Sequence, residues 1–404
     1  MLPTGARQAS FSIAQARSLV RDLFVPKPWL YWTDFLVSMV VGASAFVAMR
    51  LVMRGLWPVY AAPLVASALF TIATCAFYRA SLFTHELTHL KQGKFRGFRL
   101  AWNMLFGVPF LMPSFLYHTH VDHHARRQYG TEHDGEYLPL ASGSPWQIVL
   151  YLGQALVLPA IAIARFLVLA PLGWLVPPFR YWIARHASSM VIDVTYARPL
   201  PTRQELRVWR WQEIGCWASV TSLAVSLTMG WIPLGFAVSA YAIASAVLTL
   251  NAVRTLGAHR YRSTGETMSF VDQLLDSVNY PRRPWLSNLW APLGLRFHAL
   301  HHLFPSMPYH SLAEAHRRLM AGLPADSPYR QTESDSLWST IAQLWKEARS
   351  SRRREAPQSE PIGATAPEAE VDKSPRTARR IRSMTADVGR TYVSTAELVE
   401  AGSH

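Results

Sequence analysis

Long apolar stretches dominate the first two thirds of the chain, and short polar segments separate them. Residues 29–53 contain only two charges, and residues 57–78 contain none. Because about 20 apolar residues cross a bilayer as a helix, these two stretches predict a first hairpin of membrane-spanning helices. Residues 214–253 also lack charge, and a segment with glycine and proline interrupts them midway. They predict a second membrane-spanning hairpin.

The composition fits a membrane protein with four such helices. Only 16% of the residues are charged, against ~25% in soluble domains. Basic residues precede the first apolar stretch and surround the polar segments after the second, and the net charge is +14. By the positive-inside rule, both termini and these segments are expected in the cytoplasm, with the protein in the cell inner membrane. No basic patch in a known module predicts nucleic-acid binding.

Three short clusters of histidine carry the candidate chemistry. They are His85 with His89, then His120 with His123 and His124, and finally His298 with His301 and His302. On a helix, residues spaced i, i+3 and i+4 lie on one face, and neutral imidazole is a common ligand for iron, zinc and copper. A further histidine, His259, follows the last apolar stretch closely and is a ninth candidate ligand.

Nine imidazoles exceed the needs of one ion, so the clusters predict two metal ions on one side of the membrane. Imidazoles with open coordination positions suit iron that binds dioxygen, whereas zinc has no redox chemistry. Nearby carboxylates could orient the ligands by accepting their second N–H. These carboxylates are Asp122, Glu132, Asp134, Glu136, Glu266, Asp272 and Asp276.

One apolar segment, residues 146–179, is interrupted by Arg165 and several prolines. It is too short for two crossings, and a single crossing would separate the third histidine cluster from the first two. We therefore predict one or two interfacial or re-entrant helices here. The expected organisation is a cytosolic segment over residues 1–28, a membrane domain with a cytosolic cap over residues 29–348, and a disordered polar tail over residues 349–404.

The residues alone leave two other classes of function open. The run from His85 to His89 matches HExxH, the zinc metalloprotease signature in which Glu86 would be the general base. A membrane protease needs three ligands and one open position, so it gives the other two clusters no role. A non-catalytic protein that binds metal or lipid is the remaining class, and it predicts no consumption of dioxygen.

The order of the clusters, with a hydrophobic hairpin between the second and the third, resembles the membrane fatty acid desaturase and hydroxylase superfamily. The resemblance covers residues 30–319, and the run from His302 to Pro305, with His310 after it, is similar to that of acyl-lipid desaturases. It implies a non-haem di-iron centre at the cytosolic membrane face. Carried over by position, the ligands are His85, His89, His120, His123, His124, His259, His298, His301 and His302.

The resemblance also implies an activity. It predicts an oxidoreductase that uses dioxygen and external electrons to introduce a double bond into a lipid-linked fatty acyl chain. The alternative is a hydroxylase or ketolase of a lipid or a carotenoid on the same scaffold. The chain lacks the His-Pro-Gly-Gly motif of a fused haem domain, so a separate ferredoxin or small cytochrome with its reductase is the expected electron donor.

The fold that follows from the pattern and the resemblance is all-α. It contains two membrane hairpins, interfacial helices and a cytosolic helical cap, and it carries the histidine-rich site for two metal ions. In acyl-CoA members of the superfamily, an asparagine one helical turn before the extra histidine supports the metal centre. Here that position is Thr255, and Asn251 lies one turn further back, so the residue that assists His259 stays open.

Overall fold

The computed structural model describes residues 11–90 and 95–355, which are helical except for connecting segments and isolated β-bridges. The α-helices are α1 Ile13–Leu19, α2 Pro28–Met53, α3 Ala62–Ser81, α4 Phe83–His89, α5 Arg96–Trp102, α6 His120–His123, α7 Pro145–Ala164, α8 Ala170–Leu175, α9 Pro177–His186, α10 Arg203–Thr228, α11 Leu234–Ala258, α12 Phe270–Asp276, α13 Pro284–Trp290, α14 His298–Leu303, α15 Leu312–Gly322 and α16 Leu337–Glu355. Single 3₁₀ or π turns are Arg21–Phe24, Asn103–Gly107, Ser114–Tyr117, Arg165–Leu169, Tyr309–Ser311 and Pro328–Thr332.

The first hairpin is the pair α2 and α3, which pack against each other along their length. They pack tightly at Gly42, where a Cβ atom would lie 2.8 Å from the ring of Phe77. Tyr31 and Phe35 of α2 are fully buried in the same core as Phe83 at the start of α4. Because α4 continues directly from α3, this packing fixes the first histidine cluster at the end of the hairpin.

Four helices are long and apolar enough to cross a membrane, namely Pro28–Met53, Ala62–His89, Pro145–Leu175 and Leu234–Ala258. The predicted all-helical fold with four such helices is confirmed, although their membership differs from the expected one. The second predicted hairpin corresponds to α10 and α11, but only α11 is among these four helices. Helix α10 begins at Arg203 and carries charges through Glu213, and its uncharged part, residues 214–228, is shorter than the ~20 residues that cross a bilayer.

The segment Pro145–Leu175, expected as interfacial or re-entrant helices, forms one apolar helix with a π turn at Arg165. Arg165, the charge that argued against such a helix, donates hydrogen bonds to Glu213 of α10 and, at 3.1 Å, to the Ser188 hydroxyl. Arg180 of α9 donates to the same carboxylate. Pairing compensates the buried charges, so the charge of Arg165 is compatible with its place inside an apolar helix.

Both ends of this segment nevertheless attach to the part of the molecule that carries the histidines. The Ala141 N–H donates to the Tyr261 carbonyl at 3.2 Å, just before α7 begins. After α9, the Ile192 N–H donates to the Gly135 carbonyl at 2.9 Å. The chain therefore leaves the histidine side and returns to it, which leaves the third cluster on the side of the first two.

A second core lies beyond α11. Phe304, Leu312 and Leu319 pack there against Ala16 and Val20 of the N-terminal segment. We call α1 together with α12–α16 the helical cap. The N-terminal segment is thus part of the cap rather than separate from it.

The last helix, α16, extends past Arg349, where the polar tail was expected to begin. Leu344 and Ala348 of α16 are buried in a cluster that includes Tyr261, which stabilises the helix at that point. The rest of the predicted tail, residues 356–404, lies outside the described residues, and so do residues 1–10 of the predicted cytosolic segment.

Candidate metal centre

Three short helices and one helix end carry the predicted ligands. The first cluster lies on α4, the second on α6 and its C-cap residue, and the third on α14. His259 is the C-cap residue of α11, with extended backbone at φ −130° and ψ 163°. Clusters that are far apart in sequence therefore meet at the end of α3 and α11.

The structure brings all nine predicted histidines together in two groups, within each of which one ligand atom per residue lies within 4.8 Å of the others. The five-histidine group consists of His85, His89, His120, His124 and His301. The four-histidine group consists of His123, His259, His298 and His302. Within the described residues, no further His, Cys, Asp or Glu cluster of this kind occurs.

The second and third clusters are each divided between the two groups. His120 and His124, one helical turn apart, join the five-histidine group, whereas His123 between them joins the other. The third cluster does the reverse, because its i and i+4 members belong to the four-histidine group and His301 crosses over. An HxxHH run on a short helix thus contributes to both groups, which explains why the pattern occurs twice.

The spacing of the nitrogens fits shared metal ions. Nε2 of His298 lies 2.9 Å from Nε2 of His259, and the His259–His123 and His298–His302 pairs are 3.1 Å apart. In the five-histidine group, Nε2 of His124 lies 3.0 Å from that of His120 and 3.1 Å from that of His301. Neighbouring nitrogens at about 2.0–2.1 Å from one ion are separated by about this distance.

Burial prepares most of the imidazoles as ligands. It lowers the pKa well below the ordinary value in His120, His124, His259, His298, His301 and His302. Neighbouring histidines lower each pKa further. The neutral imidazole, which is the form that binds a metal ion, is therefore favoured near pH 7.

Two members of the four-histidine group, His123 and His259, have well-defined hydrogen-bond partners behind them, whereas Nδ1 of His298 has none among the described residues. Nδ1 of His123 lies 2.8 Å from an Asp134 carboxylate oxygen, and burial would lower the pKa of His123, but Asp134 outweighs burial and raises it. Nδ1 of His259 lies 2.8 Å from the Tyr129 hydroxyl, which itself donates to Asp276 at 2.7 Å. Such partners fix the orientation of a ligand ring.

The five-histidine group has fewer partners. Among the described residues, neither ring nitrogen of His85 has a hydrogen-bond partner, and Nε2 of His89 and Nδ1 of His124 have none either. Glu136 approaches Nδ1 of His120 to 2.9 Å, but without the alignment of a hydrogen bond. A metal ion would satisfy Nε2 of His89 and one nitrogen of His85. Nδ1 of His124 is the outer nitrogen of a ring whose Nε2 lies beside His120 and His301.

Three of the seven candidate carboxylates lie beside the groups. Asp134, Glu136 and Asp276 are those described above, whereas the Glu132 side chain is 87% exposed. Asp122 lies 3.4 Å from the Tyr196 hydroxyl and touches no member of either group within hydrogen-bond distance. Glu266 and Asp272 are exposed. Burial raises the pKa of the Glu136 carboxyl to about 7.

Histidines outside the clusters have other partners. Nδ1 and Nε2 of His316 contact the Tyr329 hydroxyl at 2.8 Å and Glu333 at 3.1 Å. His310 accepts a hydrogen bond from the Lys27 N–H. Since their ring nitrogens are occupied by protein groups, these two histidines lie outside the centre, as the spacing predicted.

The carboxylate of the HExxH match is also occupied. Glu86 accepts a hydrogen bond from the Tyr31 hydroxyl at 2.9 Å within the core of the first hairpin. Its other oxygen lies 4.0 Å from Nδ1 of His85. Glu86 is therefore directed towards α2. The group that contains His85 has five imidazoles in all, which exceeds the ligand number of a zinc protease.

Sequence reasoning missed three residues of the centre. Tyr129 links His259 to Asp276, and the ring of Tyr117 stacks on His120 at 4.7 Å between centroids. Arg254, the charge that follows the last apolar stretch, is buried beside the groups. Isolated tyrosines and arginines have no spacing signal, so only their proximity in space identifies them.

Comparisons with known proteins agree with this geometry. The sequence model of the family described as fatty acid desaturase matches residues 55–333. A ceramide hydroxylase of Caulobacter vibrioides (strain NA1000 / CB15N) is 37% identical over 340 residues, which cover 83% of this chain and 93% of that protein. Together with the four apolar helices, these matches establish an integral-membrane oxidoreductase and favour it over the protease. The chain belongs to the fatty acid desaturase family.

Proposed function

We propose that this protein is a di-iron hydroxylase that inserts an oxygen atom from dioxygen into a chain of a ceramide-like membrane lipid. The observation that carries the proposal is the convergence of nine histidines in two adjacent groups. The similarity to a ceramide hydroxylase along most of both chains supports hydroxylation over desaturation. The proposal thus adopts the alternative that the sequence left open.

The donor set supports two iron ions, one in each group. It consists of imidazoles with no thiolate, and five plus four ligands leave room for open coordination positions. When bound, iron supplies the redox chemistry with dioxygen that zinc lacks. The chain contributes by holding the rings: Asp134 orients His123, and Tyr129 orients His259.

The overall reaction balances with an external donor. The lipid C–H bond, one dioxygen molecule, two electrons and two protons give a C–OH group and one water molecule. Burial of the histidines within the protein excludes bulk water from the reacting position. Since the electrons come from outside, we propose a separate ferredoxin or small cytochrome, with its reductase, as the partner.

The proposed location is the cell inner membrane, with the histidine groups on the cytoplasmic side. Basic residues near the groups support this orientation, since Arg126 and Arg127 are exposed directly after the second cluster. An electron donor in the cytoplasm and a lipid in the bilayer would then reach the same site from opposite directions.

Desaturation is the second candidate. The family match and the likeness of the His302–Pro305 run to acyl-lipid desaturases support it. The reaction would remove two hydrogen atoms from adjacent carbons and reduce dioxygen to two water molecules with the same two electrons and two protons. The two outcomes differ only in the fate of the carbon after the first hydrogen is removed.

The test is a reaction with purified protein in lipid nanodiscs, loaded with iron and supplied with N-palmitoyl sphinganine, isotopically labelled dioxygen, ferredoxin and its reductase. The products are analysed by mass spectrometry beside two variants. His301→Ala removes a member of the five-histidine group, and His133→Ala removes an exposed histidine outside the groups.

Hydroxylation predicts a product that carries one labelled oxygen atom, made by wild type and His133→Ala but not by His301→Ala. A product that has lost two hydrogens and gained no label would replace hydroxylation by desaturation. No conversion of the ceramide by iron-loaded wild type, with the donor shown to be reduced and reoxidised, would refute the proposed substrate.

A further inference from the structure

A buried guanidinium stands beside the two histidine groups without an ion pair. Arg254 lies in the last turns of α11, five residues before His259, and is only 6% exposed. Its Nη2 donates to the Asn251 side chain at 2.9 Å, whereas its Nε has no partner among the described residues. No described Asp or Glu forms a salt bridge with it within 4.0 Å. A buried charge left in this way costs free energy, so it is retained for a reason.

The side chains around Arg254 are mainly neutral, and the Glu136 carboxylate, which accepts from Tyr117 at 3.1 Å, interacts with Arg254 without forming a salt bridge. Four tyrosines, Tyr78, Tyr117, Tyr151 and Tyr261, interact with its charge. Two of these tyrosines donate their hydroxyl protons to backbone carbonyls. Tyr78 donates to the Trp290 carbonyl at 2.9 Å, and Tyr261 donates to the Thr255 carbonyl at 2.7 Å. The tyrosine oxygens can accept from the guanidinium, so the N–H group that remains free for a ligand, among the described residues, is the one at Nε.

This guanidinium acts on both groups. Its charge acts on His85 in the five-histidine group and on His259 and His298 in the four-histidine group. Arg254 is therefore close enough to the centre to meet a ligand that occupies it.

A hydrocarbon chain cannot use such a donor, but the head of a lipid amide can. The amide carbonyl and the neighbouring hydroxyl of a ceramide offer oxygen acceptors without bringing a second charge into the membrane. The N–H group at Nε of the guanidinium can donate to such an oxygen. With the head held, the carbons close to the amide would be the ones that lie nearest the histidines.

We propose that Arg254, held by Asn251, binds the amide head of the lipid substrate and so selects a carbon near the amide for reaction. This inference rests on the proposed function and adds to it the part of the lipid that is recognised. Arg254 is a specificity-determining residue here, since it acts on the position of the substrate and not on the reacting bond.

The experiment measures binding and regiochemistry separately. Wild type, Arg254→Gln, Arg254→Lys and Arg50→Gln are purified with iron bound, and lipid binding is titrated under argon without an electron donor, so that no turnover occurs. The ligands are N-palmitoyl sphinganine, palmitate and hexadecane, which share an alkyl chain and differ in the head. Iron content and elution volume check that each variant is folded.

Arg50→Gln is the matched control. Arg50 is also an arginine of a membrane-spanning helix, and it donates to the Ser239 hydroxyl at 3.0 Å. Ser239 lies fifteen residues before Arg254 on α11, which is about 22 Å along a helix. Loss of Arg50 should therefore disturb a partly buried arginine of the membrane helices without touching the histidine side.

We expect Arg254→Gln to weaken ceramide binding by about 10- to 100-fold, the usual value of a hydrogen bond to a charged group, and to leave hexadecane binding unchanged. Arg254→Lys should recover part of the affinity. With donor added, Arg254→Gln should spread the hydroxyl group over several carbons, as tandem mass spectrometry would detect, whereas Arg50→Gln should match wild type in every measurement.

Several different results would overturn the inference. Equal losses for ceramide and hexadecane, or a loss of iron in Arg254→Gln, would make Arg254 a structural residue. If wild type hydroxylates ceramide and Arg254→Gln has the same ceramide affinity and the same regiochemistry, Arg254 does not bind the substrate, and the proposed function stays intact. Palmitate that depends on Arg254 more strongly than ceramide would make the ligand a carboxylate. A wild type that neither binds nor converts ceramide would refute both proposals.

Discussion

The two histidine groups are built in different ways. The five-histidine group takes its first two members from α4, which continues a packed membrane helix and is buried with Phe83 and Leu87. The four-histidine group includes His259, which follows the end of α11 in extended backbone. Behind the first group several ring nitrogens have no partner among the described residues, whereas behind the second Asp134, Tyr129 and Asp276 form a hydrogen-bonded support.

The difference shows two ways to orient a ligand. A histidine on a helix that is fixed by core packing needs little further support, because the backbone and the rotamer already direct the ring. A histidine at a helix end has more freedom, and a hydrogen bond to Nδ1 removes it. The two groups should therefore respond differently to removal of their outer partners, and similarly to removal of a ligand.

The largest effect is expected for the ligands themselves. His301→Ala and His302→Ala each remove one member of a different group. Each should lower hydroxylation by more than about 100-fold, since loss of outer partners alone costs 10–100-fold, and each should reduce bound iron towards one ion per chain. Elemental analysis with Mössbauer spectroscopy measures both. Retention of two ions in either variant would contradict its assignment as a ligand.

The next effect concerns Asp134, the strongest support of the four-histidine group. Asp134→Ala should lower iron affinity at that group by about 10- to 100-fold, because Nδ1 of His123 loses its carboxylate. Asp122→Ala is the control, since Asp122 contacts only Tyr196 at 3.4 Å. Competition with an iron chelator gives the affinities, and equal behaviour of the two variants would break the comparison.

Removal of the hydroxyl that links His259 to Asp276 should have a smaller effect. Tyr129→Phe keeps the buried ring but deletes both hydrogen bonds, and we expect iron affinity to fall by about tenfold. The matched change in the other group is Glu136→Gln, which should cost less, because Glu136 contacts His120 without an aligned hydrogen bond. A larger loss in Glu136→Gln would reverse the proposed difference between the groups.

The smallest effect on the centre is expected from a change at His316, a buried histidine whose two ring nitrogens contact Tyr329 and Glu333. Burial and the Arg296 charge lower the pKa of His316 from 6.5 to about 4. The unfolded chain then binds the proton more readily, so the stability that the neutral ring contributes is present above pH 6.5 and is lost as the pH falls through about 4. The loss should be about 3 kcal/mol, at ~1.4 kcal/mol for each unit of pKa.

Thermal unfolding followed between pH 7 and pH 4 tests this statement about the helical cap. Wild type should lose apparent stability across that range, and His316→Gln should start lower and change less. Iron content at neutral pH should be the same in both proteins, because His316 lies outside the groups. Loss of iron in His316→Gln would show that the cap supports the centre directly.

Much of this molecule could be predicted from its sequence. Residues 29–53 and 57–78 are apolar over the length that crosses a bilayer. They therefore predicted a hairpin, which the structure contains as α2 and α3. The histidine spacing selected nine candidate residues, and the structure gathers all nine. The interpretation of residues 146–179 depended on Arg165, whose partner Glu213 lies on a distant helix. The sequence does not show which residue pairs with a charged side chain, so a charge that is paired in the fold is predicted to be exposed to water.

The sequence by itself determined that the protein is helical, lies in a membrane and carries three histidine clusters, because hydrophobic periodicity and i, i+3, i+4 spacing are local properties. Only the tertiary structure decided how the ligands divide, with His123 and His301 each in the group opposite to the rest of its cluster. It also decided which carboxylates and hydroxyls support them, and it revealed Arg254 beside them. Several of these relations join residues more than a hundred positions apart, such as Tyr129 with His259 and Asp276, and the packing of α3, α6, α11 and α14 creates them.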